Sequence, residues 1–363
     1  MNIPAKILAP KPPYRRSDRP RLLIVDDSVV VRSAICHIMS SRGDVIVAEK
    51  LPHMAAATSY LRDNRVDVIL LDHEMPGQNG VDGLPEILKL AKGARVAIMS
   101  GHCAKGSEAA VRALALGASD VIQKPSLCEY NDGFADMLAE KLWRLAIPEA
   151  TPQQVEHDVA LRAIPPEFRL DCLGIGASTG GIYALGQLLG QAQVGLGVPV
   201  LVTQHLPETF TRYFAEQLAR MTSLPVSVAE AGKELRPDHI YIAPGNANLL
   251  CERKGRGRVV AKLTEEKASP LDPLPAVNPM FAAMADSYGA GAAGIILTGM
   301  GRDGTAGARK IAAAGGLVVA QDKDSSVVWG MPGYAARAGL ASALLPPAEM
   351  LPFVRSHAGT RHG

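Results

Sequence analysis

The chain has 363 residues, enough for two or three domains. With 47% hydrophobic and 20% charged residues, it lies outside the disordered, collagen-like and coiled-coil classes. Only 4% of residues are aromatic while 35 are glycine, a balance that suits closely packed α/β layers and disfavours an all-β sandwich. The net charge is +2, but Lys6, Lys11, Arg15, Arg16, Arg19 and Arg21 stand at the start against Asp18 alone. The remaining body is net negative, which argues against nucleic acid as the main ligand.

No apolar run approaches the ~18 residues of a membrane helix, and the start lacks the apolar centre of a secretory signal. A cytoplasmic protein with no membrane insertion is expected. Cys36, Cys103, Cys128, Cys172 and Cys251 are odd in number and lack paired ligand spacing, as expected of buried thiols in a reducing compartment.

In chain order, residues 1–20 are proline-rich, charged and without a period, which predicts a flexible basic arm. Residues 21–146 alternate short β-rich runs with helical stretches: LLIV (22–25), DVIVAE (44–49), DVILL (67–71), RVAIM (95–99) and DVIQ (120–123). The spacing predicts a five-stranded parallel α/β sheet, closed by an amphipathic helix from Glu129 to Leu145. Residues 147–169, polar and containing Pro165 and Pro166, read as a linker. A second, doubly wound α/β domain spans 170–350, with strands at 172–177, 198–204, 239–244, 258–263, 294–299 and 316–321, and 351–363 is left as a tail.

Four strand ends in the first domain carry chemistry: Asp26 and Asp27, Asp72, Ser100, and Lys124. In an open parallel sheet the carboxyl ends of the strands border one crevice, so these side chains converge there. Three carboxylates that close repel unless a cation neutralises them, and an all-oxygen set suits Mg²⁺. Ser100 and Lys124 are then placed to hold the oxygens of a phosphoryl group, with Asp72 as the nucleophile.

The motifs VDDS, LDHEMP and QKP resemble the receiver domain of two-component response regulators. The resemblance implies a flavodoxin-like fold, phosphorylation of Asp72 by a histidine kinase, and Mg²⁺ held by Asp26, Asp27, Asp72 and the carbonyl of Glu74. Val121 stands where such domains usually carry an aromatic switch residue, and Ser100 replaces the common threonine.

In the second domain, LGIGASTGGIYALGQLL sets Ser178 in a G-x-S-x-G turn between a strand and a helix, a geometry that lifts the hydroxyl out of the sheet. His205 follows a second strand at the same edge and Asp303 a third, which gives a base for the serine and an acid to hold the imidazole tautomer. His239 precedes its strand and belongs at the opposite edge. A dinucleotide fingerprint is the competing reading. However, Thr179 occupies its third glycine position, and no acid occurs from 172 until Glu208.

GIGASTGG, TQHLPETFTRYFAEQL, YIAPGNANLL, ILTGMGRDG and AQDKDSSVVWGMP together resemble the chemotaxis response regulator protein-glutamate methylesterase family. That resemblance implies that Ser178 attacks the γ-carbonyl of glutamyl methyl esters on chemoreceptors, that His205 relays the proton and Asp303 orients it, and that the N–H groups of Thr179 and Met300 stabilise the oxyanion. It implies no cofactor for the esterase chemistry, deamidation of receptor glutamines, and gating by phosphorylation. The chain departs from the family at DPLPAVNPMF, with Pro273 and Leu274 at usually basic positions and Asn278 at an acid. A receiver-controlled oxidoreductase and a catalytically silent regulator remain as alternatives.

Overall fold

The computed structural model describes residues 19–43, 45–101, 104–125, 132–146, 159–190, 195–267, 269 and 272–358. The basic arm up to Asp18, the linker up to residue 158 and the tail from residue 359 onward lie outside the described residues.

The first domain is built on β1 (Arg21–Val25), β2 (Ile46–Leu51), β3 (Val68–Asp72), β4 (Arg95–Ser100) and β5 (Asp120–Gln123). All are parallel, in the order β2-β1-β3-β4-β5. Because helices cover both faces, β3 reads as a continuous apolar run ending in an aspartate, with all five residues buried. Each fully buried Leu or Ile there contributes roughly 1.5–3 kcal/mol. Helix α1 (Val29–Arg42) starts at Ser28, whose hydroxyl accepts the Val31 N–H, and stops at Gly43 with φ 70°. Helices α2 (Met54–Asp63), α3 (Gly80–Leu90) and α4 (Ala104–Leu116) follow, and α5 spans Asp132–Ala146; residues 129–131 of its expected start lie outside the described residues.

The second domain has a seven-stranded parallel sheet, ordered β14-β13-β12-β6-β7-β9-β8. Its strands are β6 (Cys172–Ala177), β7 (Val200–Gln204), β8 (Val226–Val228), β9 (Ile240–Ile242), β12 (Ala292–Ile296), β13 (Leu317–Gln321) and β14 (Ala343–Leu345). The chain leaves β6 toward β7 on one side and returns to β12 on the other. The crevice at the carboxyl ends of β6, β7 and β12 is therefore the switch point at which open α/β sheets bind ligands.

The strand expected at RVVAKL forms as β11 (Val259–Thr264), paired antiparallel with β10 (Asn248–Arg253) in a hairpin separate from the parallel sheet. Two expectations need correction. The second half of the linker is docked, with Arg162 donating to the carbonyls of Gly316 and Ala312 and with Phe168 buried. Beyond residue 350 the chain continues as helix α11 (Pro347–His357), which buries Leu351 and Val354 against α6 (Gly181–Leu189). Cys172 and Cys251 are buried, whereas Cys36 is half-buried. No described helix is long and apolar enough to cross a membrane.

Candidate active site

Strand β6 delivers Ser178 into a tight turn that passes through Gly180, at φ 76°, into α6. Any Cβ at Gly180 would also strike Val327. The Ser178 N–H donates to the Thr298 carbonyl at 3.1 Å, and its own carbonyl accepts from the Gly181 N–H and from Gln204 Nε2, both at 2.8 Å. The Ser178 backbone is thus engaged on both sides, and among the described residues no partner is found for its hydroxyl, on a half-buried residue. Gly299 brings the loop after β12 against it, since a Cβ there would lie 2.7 Å from Ser178 Cβ.

His205 follows β7, with its N–H donating to the Ala177 carbonyl at 3.1 Å. Its ring Nε2 lies 2.8 Å from Asp303 Oδ2. Asp303 is 9% exposed and accepts three further bonds, from the N–H groups of Val277 (2.7 Å), Asn278 (3.0 Å) and Gly304 (2.8 Å). Val277 begins helix α8 (Val277–Tyr288), so Asp303 caps from a distant loop a helix whose own Ala276 cannot do so. Burial alone raises the Asp303 pKa. The His205 ring and the helix amides outweigh it and hold the carboxyl below its ordinary range.

Ser178, His205, Thr179 and Met300 border one pocket of about 220 Å³. The carboxylate–imidazole half of a relay is formed. The hydroxyl–imidazole half is not, since among the described residues no hydrogen bond joins Ser178 Oγ to the ring. With Nε2 engaged by Asp303, Nδ1 is the nitrogen left for the serine. Among the described residues no backbone partner is found for the amides of Thr179 and Met300, whereas those of Ser178 and Gly299 are occupied. His239 lies away from this edge and bonds Ser227 Oγ at 2.9 Å.

The first domain gathers its own cluster at the carboxyl ends of β1, β3 and β5. Asp26, Asp27 and Asp72 each offer an oxygen within 4.8 Å of the others, beside a cleft of about 660 Å³ bordered also by Glu74 and Lys124. Lys124 Nζ lies 2.6 Å from Asp72 Oδ2 and 3.0 Å from Asp26 Oδ2. Burial raises the Asp72 carboxyl to about 6 against the pull of this ammonium. Burial likewise opposes the Lys124 charge, but its two carboxylate partners outweigh it and raise the lysine pKa. One lysine cannot neutralise three carboxylates, and an all-oxygen donor set beside an open cleft fits Mg²⁺. Ser100, the last residue of β4, is fully buried and does not border the cleft, its hydroxyl lying 3.4 Å from the Gly101 carbonyl.

The two sites are joined across a domain interface: the receiver packs over the esterase site, as the family resemblance implies, through contacts that the sequence did not specify. The Ser119 carbonyl accepts the Gly180 N–H at 2.8 Å, and Thr179 Oγ1 donates to Asp120 Oδ2 at 3.2 Å. Helix α4 packs on α6 and on α7 (Glu208–Met221), and Met300 and Val327 pack against the first domain's core. The first domain therefore covers the serine pocket. Gln204 was missed. It is a buried polar residue at the end of an apolar strand, and that contrast in TQH was its only signal in the sequence. Asn278, at the family's acid position, instead accepts the Gly307 N–H at 2.9 Å and ties α8 to the helix that follows Asp303.

Residues 173–354 match the family model of the CheB methylesterase, and residues 22–129 that of the response regulator receiver domain. The chain is 35% identical to a protein-glutamate methylesterase/protein-glutamine glutaminase of Paramagnetospirillum magneticum, over 96% of this chain and 99% of that one. It is 37% identical to the protein of the same description from Nitrobacter hamburgensis, over 95% and 96%. The CheB methylesterase catalytic domain of Thermotoga maritima matches with a TM-score of 0.50 and 34% identity, covering 52% of this chain and 98% of that one. A serine turn, a carboxylate-held histidine and an acidic cleft thus occur in one chain that aligns over 95% or more of its length with the two curated relatives, and the chain belongs to the CheB methylesterase family, with a response regulator receiver domain ahead of its esterase domain.

Proposed function

We propose that this protein hydrolyses glutamate methyl esters on methyl-accepting chemotaxis receptors, and deamidates receptor glutamines, under control of its phosphorylated receiver. The observation that carries the reading is the 2.8 Å bond between His205 and Asp303 at the rim of the pocket that holds Ser178. The Nε2–H of His205 points to Asp303, so Nδ1 accepts the Ser178 proton as Oγ bonds the γ-carbonyl carbon. The oxyanion falls to the N–H groups of Thr179 and Met300. His205 returns the proton to the departing methoxide, methanol leaves, and a water activated by the same nitrogen releases the free glutamate and Ser178. With a glutamine, ammonia leaves by the same route. No cofactor enters this scheme.

In the receiver, an Asp72 oxygen bonds the phosphorus of the phosphohistidine on the histidine kinase of a chemosensory pathway as the P–N bond breaks and the kinase imidazole leaves, and Lys124 and Ser100 take up oxygens of the transferred group. Mg²⁺, held by Asp26, Asp27, Asp72 and the Glu74 carbonyl, supplies charge neutralisation when bound. A cytoplasmic site of action, with kinase and methylated chemoreceptors as partners and no nucleic acid, fits this chemistry.

Two results are expected. Mg²⁺ at a hundred times its dissociation constant stabilises the receiver by about 2.7 kcal/mol, read as a rise in melting temperature. The same rise in a chain carrying Asp27→Ala and Asp72→Ala would refute the ligand set. Phosphorylation by a small-molecule donor speeds methanol release by roughly 5- to 150-fold, the usual span of a coupling free energy. Equal turnover before and after phosphorylation, with Asp72 shown to be modified, would count against the gating.

A further inference from the structure

The receiver does more than lie across the pocket, because it places a carboxylate inside it. Asp120 Oδ2 accepts from Thr179 Oγ1 at 3.2 Å and from Lys141 Nζ at 3.2 Å, and Oδ1 accepts the Val121 N–H at 2.7 Å. Asp120 and Lys141 border the same 220 Å³ pocket as Ser178, His205 and Met300. The neighbouring Ser119 carbonyl takes the Gly180 N–H, at the residue that precedes α6. In the covered form the Asp120 carboxylate thus takes the Thr179 hydroxyl, one residue from Ser178, while the Ser119 carbonyl beside it takes the Gly180 N–H at the start of a helix that has no side-chain cap.

We propose that Thr179 and the start of α6 form a carboxylate subsite of the esterase pocket, and that Asp120 fills it in the covered form as an internal competitor. The inference rests on the methylesterase reading, whose hydrolysis converts a neutral ester into a carboxylate. In the covered form Lys141 helps to hold the anion. When the receiver withdraws, Lys141 and Asp120 leave together, and the subsite keeps only the hydroxyl and the helix end. That set recognises an acidic group without retaining it, as turnover requires. The acidic group comes either from the newly formed glutamate or from an acidic side chain flanking the target residue.

The test uses the full unphosphorylated chain. Asp120→Ala is expected to raise methanol release by about tenfold or more, the scale of one hydrogen bond to a charged group, and Asp120→Asn to raise it less. Phosphoryl uptake at the native rate checks that the receiver is folded, and the isosteric Asn variant carries the test if the Ala variant fails that check. In the activated variant, N-acetylglutamate but not N-acetylglutamine should raise KM and leave kcat unchanged if the product carboxylate binds. Peptides with Glu rather than Gln beside the methyl ester should show a lower KM if the flanking acid binds. Native-rate turnover in both folded variants, with phosphorylation still accelerating them, overturns the inference alone. So does an activated variant indifferent to both carboxylates. No methanol from any form, phosphorylated or not, overturns the methylesterase reading along with it.

Discussion

Ser178→Ala is expected to lower methanol release from methylated receptor membranes by roughly 10⁴-fold or more, the scale seen when the nucleophile of a hydroxyl–imidazole–carboxylate unit is removed. Stability should barely change. The scaffold uses the Ser178 N–H and carbonyl, bonded to Thr298, Gly181 and Gln204, and among the described residues no hydrogen bond of the hydroxyl is found. The two readings that compete with hydrolysis differ sharply here: neither a nicotinamide-dependent oxidoreductase nor a silent regulator depends on this oxygen. Methanol release at the native rate by a folded Ser178→Ala protein would end the proposal.

Asp303→Asn should combine a catalytic loss with a structural one. Its four acceptor contacts serve the His205 ring and three amides, two of them at the start of α8. An asparagine offers one acceptor oxygen and turns an N–H₂ toward donors, so it leaves groups unpaired and releases the imidazole tautomer. A fall in kcat of about 10³- to 10⁴-fold is expected, with roughly 1–3 kcal/mol lost from the esterase domain. The pH dependence has a definite sign. The folded-state pKa of Asp303 lies below its ordinary value of 3.8, so its stabilisation is complete above that value and is lost as pH falls through the folded pKa. Denaturation midpoints of the native chain should therefore drop toward those of Asp303→Asn only in strong acid. Curves for the two proteins that stay parallel from about pH 7 down to about pH 2 would contradict this role.

The placement of the candidate residues was legible in the sequence because parallel sheets present strand ends in one place. Asp72, Ser178, His205 and Asp303 each follow an apolar run, and the carboxyl ends of such runs share an edge. Pairing partners were not legible. RVVAKL has the composition of a strand, yet nothing local distinguishes a place in the parallel sheet from a hairpin with residues 248–253. The last helix carries Pro347 at a tolerated initial position and Pro352 inside it, a weak helical signature for a segment left as a tail. The docking of Ser119 and Asp120 onto Thr179 and Gly180 depends on the surfaces of two finished domains, and no periodicity encodes that.

Strand β5 is flanked by a neighbour on one side only, and its two extremities touch different business: Asp120 meets the esterase turn, and Lys124, just past the other end, grips Asp72 and Asp26. Four residues at about 3.3 Å each make a rod of some 13 Å. The acidic cleft and the esterase turn are therefore tied to opposite ends of one border strand, which a single ladder of bonds holds to the sheet.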